Sequence, residues 1–537
     1  MTEEVVKVPY QLAQLPGASY RAGLAGLIFL VDYLKRIQPE INDHIEVKFD
    51  STSATLKCDK QGLQALINLT FESEYKLTWT DKKRSGGTPV ETQGEGKEKR
   101  YCYADLQVHA LAIKERDPSG IWTNLWSSWL LNTVRSIPQS RINLKTRANG
   151  ESINLKNFWT ALKEPKVKTG LSSSSLIGAE AKTSEGMPLK DENSQEFLLN
   201  FWPYVSQPYI PCRFDVDGKR ENWGYTVAIP DVQDLEAFVR EFPNVLERRP
   251  QNPPEYKSSR PKDALVELPE EAALDSIRLI RKYMEETQIA SSFDFDVLGF
   301  EVCHAVKPDP KRGAELISIA YIQPNLERDR RYELYRGNFW CPWFRKQLLK
   351  NLVRDQPWTK GWGELLSTAS QKWFEHRYFP HDCKLVFNVE ENIVETSELI
   401  QILKSLCDRY LNARLAGKGQ DINWENKHKL ARQEFLSVRS RPQKEAFRKY
   451  FYETLCSQVT PVLLKKGLSK EEYEALSETE QQQHAEQQSS EKVRQMLMLA
   501  EALDKDTETV RGLTMLALAS NFQFAQSSGR SSDSSSD

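Results

Sequence analysis

The sequence predicts an α+β protein, with mixed N-terminal and middle domains carrying antiparallel sheets, followed by a C-terminal α-helical bundle. Three observations carry this. Runs alternating apolar and polar residues at 45–49, 54–58, 75–80, 101–113, 208–215, 222–229, 294–306 and 315–323 have the period of half-buried strands. From about residue 395 that alternation gives way to almost unbroken helical spacing. Between the N-terminal and the middle runs, residues 248–262 are rich in Pro, Asn, Ser and charge and read as a linker. The expected organisation is an N-terminal α+β domain over 1–250, a linker over 251–262, a middle α+β region over 263–394, a bundle over 395–525 and a disordered tail over 526–537.

The first element is a helix over 19–37, where Ala22, Gly23, Ala25 and Gly26 permit close packing and Pro39 ends it. Its apolar run, 22–31, lies between Arg21 and Asp32, well short of the roughly 20 residues that span a bilayer. With no basic leader or cleavage site, it reads as a buried helix. Strands at 45–49, 54–58, 75–80 and 101–113 follow around a short helix at 60–68. The loop 81–99 joins Lys82, Lys83 and Arg84 to Gly86, Gly87, Gly94 and Gly96, and reads as exposed. An aromatic helix at 121–136 leads into a basic strip, and a second flexible stretch spans 163–185.

A hairpin is expected from strands 208–215 and 222–229 across Asp217 and Gly218, a favoured tight-turn pair, followed by a helix at 231–246. The middle region reads as strands 294–306 and 315–323 with helices 341–353 and 362–376. In the bundle, Ser440 with Gln443 and Ser469 with Glu472 have capping-box spacing, which places helices at 440–458 and 468–484. Val493, Met496, Leu497, Ala500 and Leu503 share one helical face, and a last helix covers 507–522.

The net charge of −2 conceals segregation along the chain. Residues 404–449 hold twelve Lys/Arg against five Asp/Glu, and 471–506 hold ten acids against three bases. Residues 328–362 interleave nine Lys/Arg with eight aromatics and three acids. Such a segment suits a polyanion, because ammonium and guanidinium groups displace counterions from phosphates while aromatics stack bases or hold the cations. The competing expectation is that most of its tryptophans pack inward, where their large apolar area is best used. Eight cysteines without regular spacing indicate neither a zinc ribbon nor a disulfide framework, and a reducing cytoplasm fits them.

Catalytic signatures are scarce. Gly96-Lys97, Gly218-Lys219 and Gly417-Lys418 lack the upstream glycine and following Ser/Thr of a phosphate cradle, and neither GxSxG nor HExxH occurs. A metal-dependent nuclease using His376, His381, Asp382 and Cys383, with His304 beside Cys303, stays as an alternative. Pro380 interrupts that segment, and lone histidines more often serve as core or hydrogen-bonding residues. Asp294 and Asp296 share one side of a strand, as magnesium ligands or simply as a wet face. A protein-only assembly factor is the third reading. No cofactor is expected.

Longer blocks narrow the choice. The helix YRAGLAGLIFLVDYL, the stretch FLLNFWPYVSQPYIPCRFDVDGKRENWGYTVAIPDVQDLEAFVREFPNVL at 197–246, GFEVCHAVK at 299–307 and FRKQLLKNLVRDQPWTKGWGELL at 344–366 together resemble the large subunit of type I CRISPR Cascade, in its Myxan-type branch. The likeness covers most of residues 10–370. It implies a non-enzymatic, cytoplasmic subunit of an RNA-guided complex, with guide RNA, target DNA and other Cascade subunits as partners. In that family an N-terminal domain faces a short flanking motif in duplex DNA and a C-terminal bundle lies along the displaced strand. Cleavage is left to a recruited helicase-nuclease, or the target passes to transposition proteins. Some such systems also make the small helical subunit from an internal start, for which Val389, Val394 and Leu399 are the expected positions.

The family's motif readers do not align residue by residue, so the candidate sites rest on charge, loop character and position. For the flanking motif they are Lys82, Lys83, Arg84, Asn124, Arg135, Arg141, Asn143, Lys145, Arg147, Asn149, Lys166, Lys168, Ser172 and Ser173. For the displaced strand they are Lys418, Lys427, Lys429, Arg432, Arg439, Arg441, Lys444 and Arg448. Arg328, Arg330, Arg331, Arg336, Arg345, Lys346, Lys350 and Arg354 are candidates for a nucleic-acid or subunit contact.

Overall fold

The computed structural model describes residues 4–80, 83, 88–96, 99–108, 147–170, 190–214, 220–247, 265–287, 297–306, 315–336, 339–391, 397–457 and 477–522. The chain is α+β and forms two compact units: Met1–Arg213 with Glu221–Arg330, and Phe214–Arg220 with Arg331–Asp537. The expected linker, 251–262, and the tail lie outside the described residues.

In the first unit, strands β1 (Val6–Gln11), β2 (Ile45–Phe49) and β3 (Ser53–Cys58) form an antiparallel sheet in the order β1-β3-β2, with Leu56 opposite both Val8 and Val47. Helix α1 (Ala18–Ile37) lies between β1 and β2 in sequence, and α2 (Lys60–Thr70) starts where the Asp59 side chain accepts from the Gly62 N–H at 2.9 Å. Strands β4 (Ser73–Thr80), β5 (Glu91–Gln93) and β6 (Arg100–Val108) make a second sheet in the order β4-β6-β5. After α3 (Lys156–Lys163), β7 (Lys168–Gly170) pairs with β8 (Lys190–Glu192), and α4 (Asn193–Leu198) follows.

The largest sheet is built from β9 (Gln207–Phe214), β10 (Arg220–Asn222), β11 (Tyr225–Val232), β12 (Leu265–Val266), β13 (Val297–Val306) and β14 (Glu315–Ile322). Its order is β10-β9-β11-β13-β14, with β12 parallel to β9. Helices α5 (Leu235–Glu247) and α6 (Glu271–Thr287) intervene in the chain, and α7 (Leu326–Tyr335) follows β14.

Helix α1 shows why this unit is compact. Leu24, Leu27 and Leu34 are fully buried, each contributing about 1.5–3 kcal/mol relative to exposure. Gly23 and Gly26 bring the helix onto the 198–201 backbone, where an added methyl would overlap the carbonyl oxygen of Leu198 or Phe201. Polar contacts then fix its register: Arg21 pairs with Asp231, Tyr321 Oη donates to Asp231 at 2.6 Å, and Ser19 Oγ donates to Glu301 at 3.0 Å. Burial pushes the Glu301 carboxyl above its ordinary range.

The second unit is helical: α8 (Pro342–Val353), α9 (Trp362–Thr368), α10 (Gln371–Phe374), α11 (Phe379–Glu391), α12 (Ser397–Gly417), α13 (Trp424–Arg439), α14 (Lys444–Tyr450), a π-turn at Phe451–Cys456, α15 (Glu478–Lys505) and α16 (Thr507–Ala519). Helix α16 is buried along nearly its whole length and meets α9 where Gly512 faces Gly363. Phe374, Phe379, Phe435 and Phe522 interlock, with centroids 5.2 Å apart for Phe374–Phe379, 4.8 Å for Phe374–Phe435 and 5.7 Å for Phe435–Phe522. Helices on both sides of residue 395 therefore share one core. A fragment begun at Val389, Val394 or Leu399 would lack Phe374 and Phe379 from it.

Several expected elements shift for local reasons. The expected strand 222–229 breaks at Trp223 and Gly224, because Gly224 adopts φ +74°; β10 and β11 consequently pair on opposite sides of β9. Ser440 ends α13 instead of opening a helix, and α14 starts only after Pro442, which biases its predecessor away from helix. The capping box that forms is Ser477 with Glu480, at the start of α15. On α15 the buried line is Gln495, Leu499 and Leu503, whereas Val493 and Leu497 are exposed by 57% and 64%. The helix 121–136, Asp217, Asp294, Asp296, Ser469 and Glu472 lie outside the described residues.

Candidate nucleic-acid interface

In the basic-aromatic segment most rings belong to the core. Tyr332, Tyr335, Phe344, Trp358 and Trp362 are buried, so their faces are closed to a base. Others hold cations. Trp343 packs against Trp373 at 5.8 Å and Phe214 at 5.5 Å, and Lys346 Nζ lies 5.5 Å from the Trp343 ring and 5.8 Å from Phe214. Arg345 Nε donates to the Tyr335 carbonyl at 2.9 Å, Arg336 lies 3.7 Å from Glu333, and Arg328 donates to the Gln323 carbonyl. Arg331 is half-buried. Arg330, Lys350, Arg354 and Lys360 are exposed and form no ion pair among the described residues.

The bundle stretch divides more sharply. Lys427 pairs with Asp408 at 2.5 Å and Arg432 with Glu375 at 2.9 Å. Arg439 donates to the carbonyls of Ser367 and Ala369 at 3.0 and 2.7 Å, with its guanidinium 4.7 Å from the Phe374 ring. Arg441 donates to Ser437 and lies 4.7 Å over Tyr450, and Arg448 pairs with Asp504. These five groups are committed to the fold. Lys418, Lys429 and Lys444, together with Lys449, are exposed and form no ion pair among the described residues.

In the first unit the candidate segments are described only in part. Lys83, Asn149, Lys166 and Lys168 are exposed, with Asn149 in a turn beside Gly150 at φ +86°. Arg147 is instead a fastener: its Nε donates to the Asn68 carbonyl at 3.2 Å and its terminal nitrogen to Glu151 at 3.3 Å. Asn68 in turn accepts from the Ile153 N–H at 3.0 Å, holding this loop on α2. Lys82, Arg84, Asn124, Arg135, Arg141, Asn143, Lys145, Ser172 and Ser173 lie outside the described residues.

The family model described as the Type I-B CRISPR Cas8b N-terminal domain matches residues 44–289, and that of the Type I-B CRISPR Cas8b C-terminal domain matches 297–521. The chain belongs to the Cas8b family. Cas8b is the large subunit of Cascade, as the resemblance implied, while the Myxan-type branch rests on that resemblance alone. No curated protein matches the chain.

The nuclease alternative finds no support in this Cas8b chain. The buried Asp382 carboxylate accepts the N–H groups of Trp340 and Cys341 at 3.2 and 2.5 Å, closing the N-terminus of α8. Burial pushes this carboxyl up, and those two N–H groups pull it back. Cys383 is buried, and desolvation drives its thiol well above its ordinary value. His376 stacks on Trp340, and His381 is exposed. His304 is buried edge-on to Trp223, with Nε2 2.8 Å from the Trp223 carbonyl, and burial lowers its pKa. Among the described residues no three His, Cys, Asp or Glu side chains gather as a metal site. No described helix is long and apolar enough to cross a membrane.

Sequence reasoning left Lys449, Arg220 and the Arg377–Tyr378 pair outside the candidate set. Lys449 was legible, since it sits inside the counted basic run. Arg220, 5.7 Å over Phe214, and Arg377, 4.6 Å over Tyr378, depend on ring placement that spacing does not encode.

Proposed function

We propose that this Cas8b chain is a non-catalytic, cytoplasmic subunit that recognises a short flanking motif in duplex DNA and stabilises the displaced strand. Guide RNA pairing reads the target, and the subunit supplies motif contacts and phosphate neutralisation. The observation that carries the reading is the match of both Cas8b domains along the chain. Exposed lysines at Lys418, Lys429 and Lys444 support a role for the second unit along the strand, since unpaired ammonium groups release counterions on meeting phosphates. Exposed Lys83, Lys166, Lys168 and Asn149 support motif contacts by the first unit. The opened target then passes to a recruited helicase-nuclease or to transposition proteins.

A binding screen of the assembled complex over randomised flanks tests this. A preferred flank, salt-sensitive strand opening and no turnover in magnesium, manganese or zinc are expected. Lys166→Ala weakens binding on all flanks alike, whereas loss of a base reader costs about 1–3 kcal/mol and relaxes one position. Flank-independent binding, or cleavage by the complex alone, contradicts the proposal.

A further inference from the structure

Among the tryptophans of the basic-aromatic segment, Trp340 is spent differently. Trp358 and Trp362 are core residues and Trp343 is held between Trp373 and Phe214, but Trp340 is 40% exposed. Its indole lies parallel to the His376 imidazole, with centroids 3.4 Å apart and planes 7° from parallel. That is the geometry of stacked bases. The backbone beneath is fixed, because the Trp340 N–H is held by the buried Asp382. Tyr378, also 40% exposed, stands 6.5 Å from Trp340 and tilted by 38°, as a side wall. The Arg377 guanidinium sits 4.6 Å from the Tyr378 ring and donates to its Oη at 2.9 Å, a cation beside the platform.

We propose that Trp340, backed by His376 and flanked by Tyr378 and Arg377, is a stacking site for one unstacked base of a single-stranded nucleic acid. Every base offers a π face, so such a site tolerates any sequence, and Arg377 is placed for a neighbouring phosphate. Burial, and then Arg377, hold the His376 pKa below its ordinary value, so the imidazole presents a neutral face to the indole. A protein-binding patch has no need of an indole already stacked parallel on a second ring. The inference rests on the proposed role in a nucleic-acid complex and adds a ligand position to it.

The test uses assembled complex with 2-aminopurine placed singly along either the displaced DNA strand or the guide RNA. The expected result is one quenched position, in one of the two strands, whose fluorescence returns in Trp340→Ala and is quenched again in Trp340→Phe. Binding of that strand weakens roughly tenfold to a hundredfold in Trp340→Ala, with thermal unfolding of the complex unchanged. Wild-type complex that binds the strand while Trp340→Ala alters neither affinity nor quenching overturns the stacking site alone. Loss of another subunit from the Trp340→Ala complex overturns it in favour of a protein contact. Wild-type complex that binds no strand overturns the functional reading beneath it.

Discussion

The two basic stretches of the second unit hold their charge in different ways. Across 404–449 every arginine is half-buried, and those at 432, 439, 441 and 448 reach carboxylates, carbonyls or a serine hydroxyl of the same unit, while Lys418, Lys429, Lys444 and Lys449 stand in solvent. Across 331–362 a larger share is left open: Lys346 lies against Trp343 and Phe214 and Arg345 donates to the Tyr335 carbonyl, while Lys350, Arg354 and Lys360 are exposed. A planar guanidinium satisfies several acceptors at once and is less strongly hydrated than ammonium, so within 404–449 the arginines go into the fold and most of the lysines are left for a ligand. The exposed cations without an ion pair among the described residues are therefore fewer than the basic residues counted along the sequence.

The difference predicts a graded set of effects. The largest is expected for Arg439→Ala, which strips the Ser367 and Ala369 carbonyls of their donor and removes the contact with Phe374. It should cost about 2 kcal/mol in chemical denaturation, against less than about 0.5 kcal/mol for Lys429→Ala. Arg439→Lys should recover only part of the loss, because one ammonium cannot reproduce the fork. Equal effects at 439 and 429 would erase the distinction. Lys346→Ala should cost about 0.5–1 kcal/mol through its lost cation–π contacts, and Lys350→Ala should be close to neutral in the same assay.

The smallest effect concerns His428, whose pKa is lowered by burial, then by Arg432 and Lys429. Folding thus favours the neutral imidazole. Its stability contribution is complete above the ordinary imidazole range, near pH 6.5, and is lost as pH falls toward the lower folded value. Lys429→Ala removes one repulsion, so the His428 resonance should titrate at higher pH in NMR and the acid loss of stability should shrink. An unmoved titration would mean that Lys429 is too far or too screened to act.

What the sequence revealed follows how local each signal is. The small residues of α1 announced a close approach, and Gly23 and Gly26 lie against the 198–201 backbone. Alternation placed β2 and β3 nearly residue for residue. Helical spacing left two faces of α15 open, since Leu503 belongs to both, and tertiary packing selected Gln495 and Leu499 over Val493 and Leu497. At Gly224 one left-handed residue split an otherwise continuous alternating run. In the candidate interface, charge density marks the basic stretches but not which cations already have partners, because those of Lys427, Arg432, Arg439 and Arg448 are distant in sequence. Trp340 and His376 were each noticed for separate reasons, and their stacking is a tertiary fact.

The most direct test of free charge over formal charge is the salt dependence of displaced-strand binding by the assembled complex. Lys418→Ala, Lys429→Ala and Lys444→Ala combined should lower the slope of log affinity against log salt by about 2, at roughly 0.7 per phosphate contact on a single strand. Lys427→Ala, whose ammonium is already neutralised by Asp408, should leave the slope unchanged. If the triple variant keeps the wild-type slope while Lys427→Ala reduces it, the assignment of the strand-binding cations is wrong.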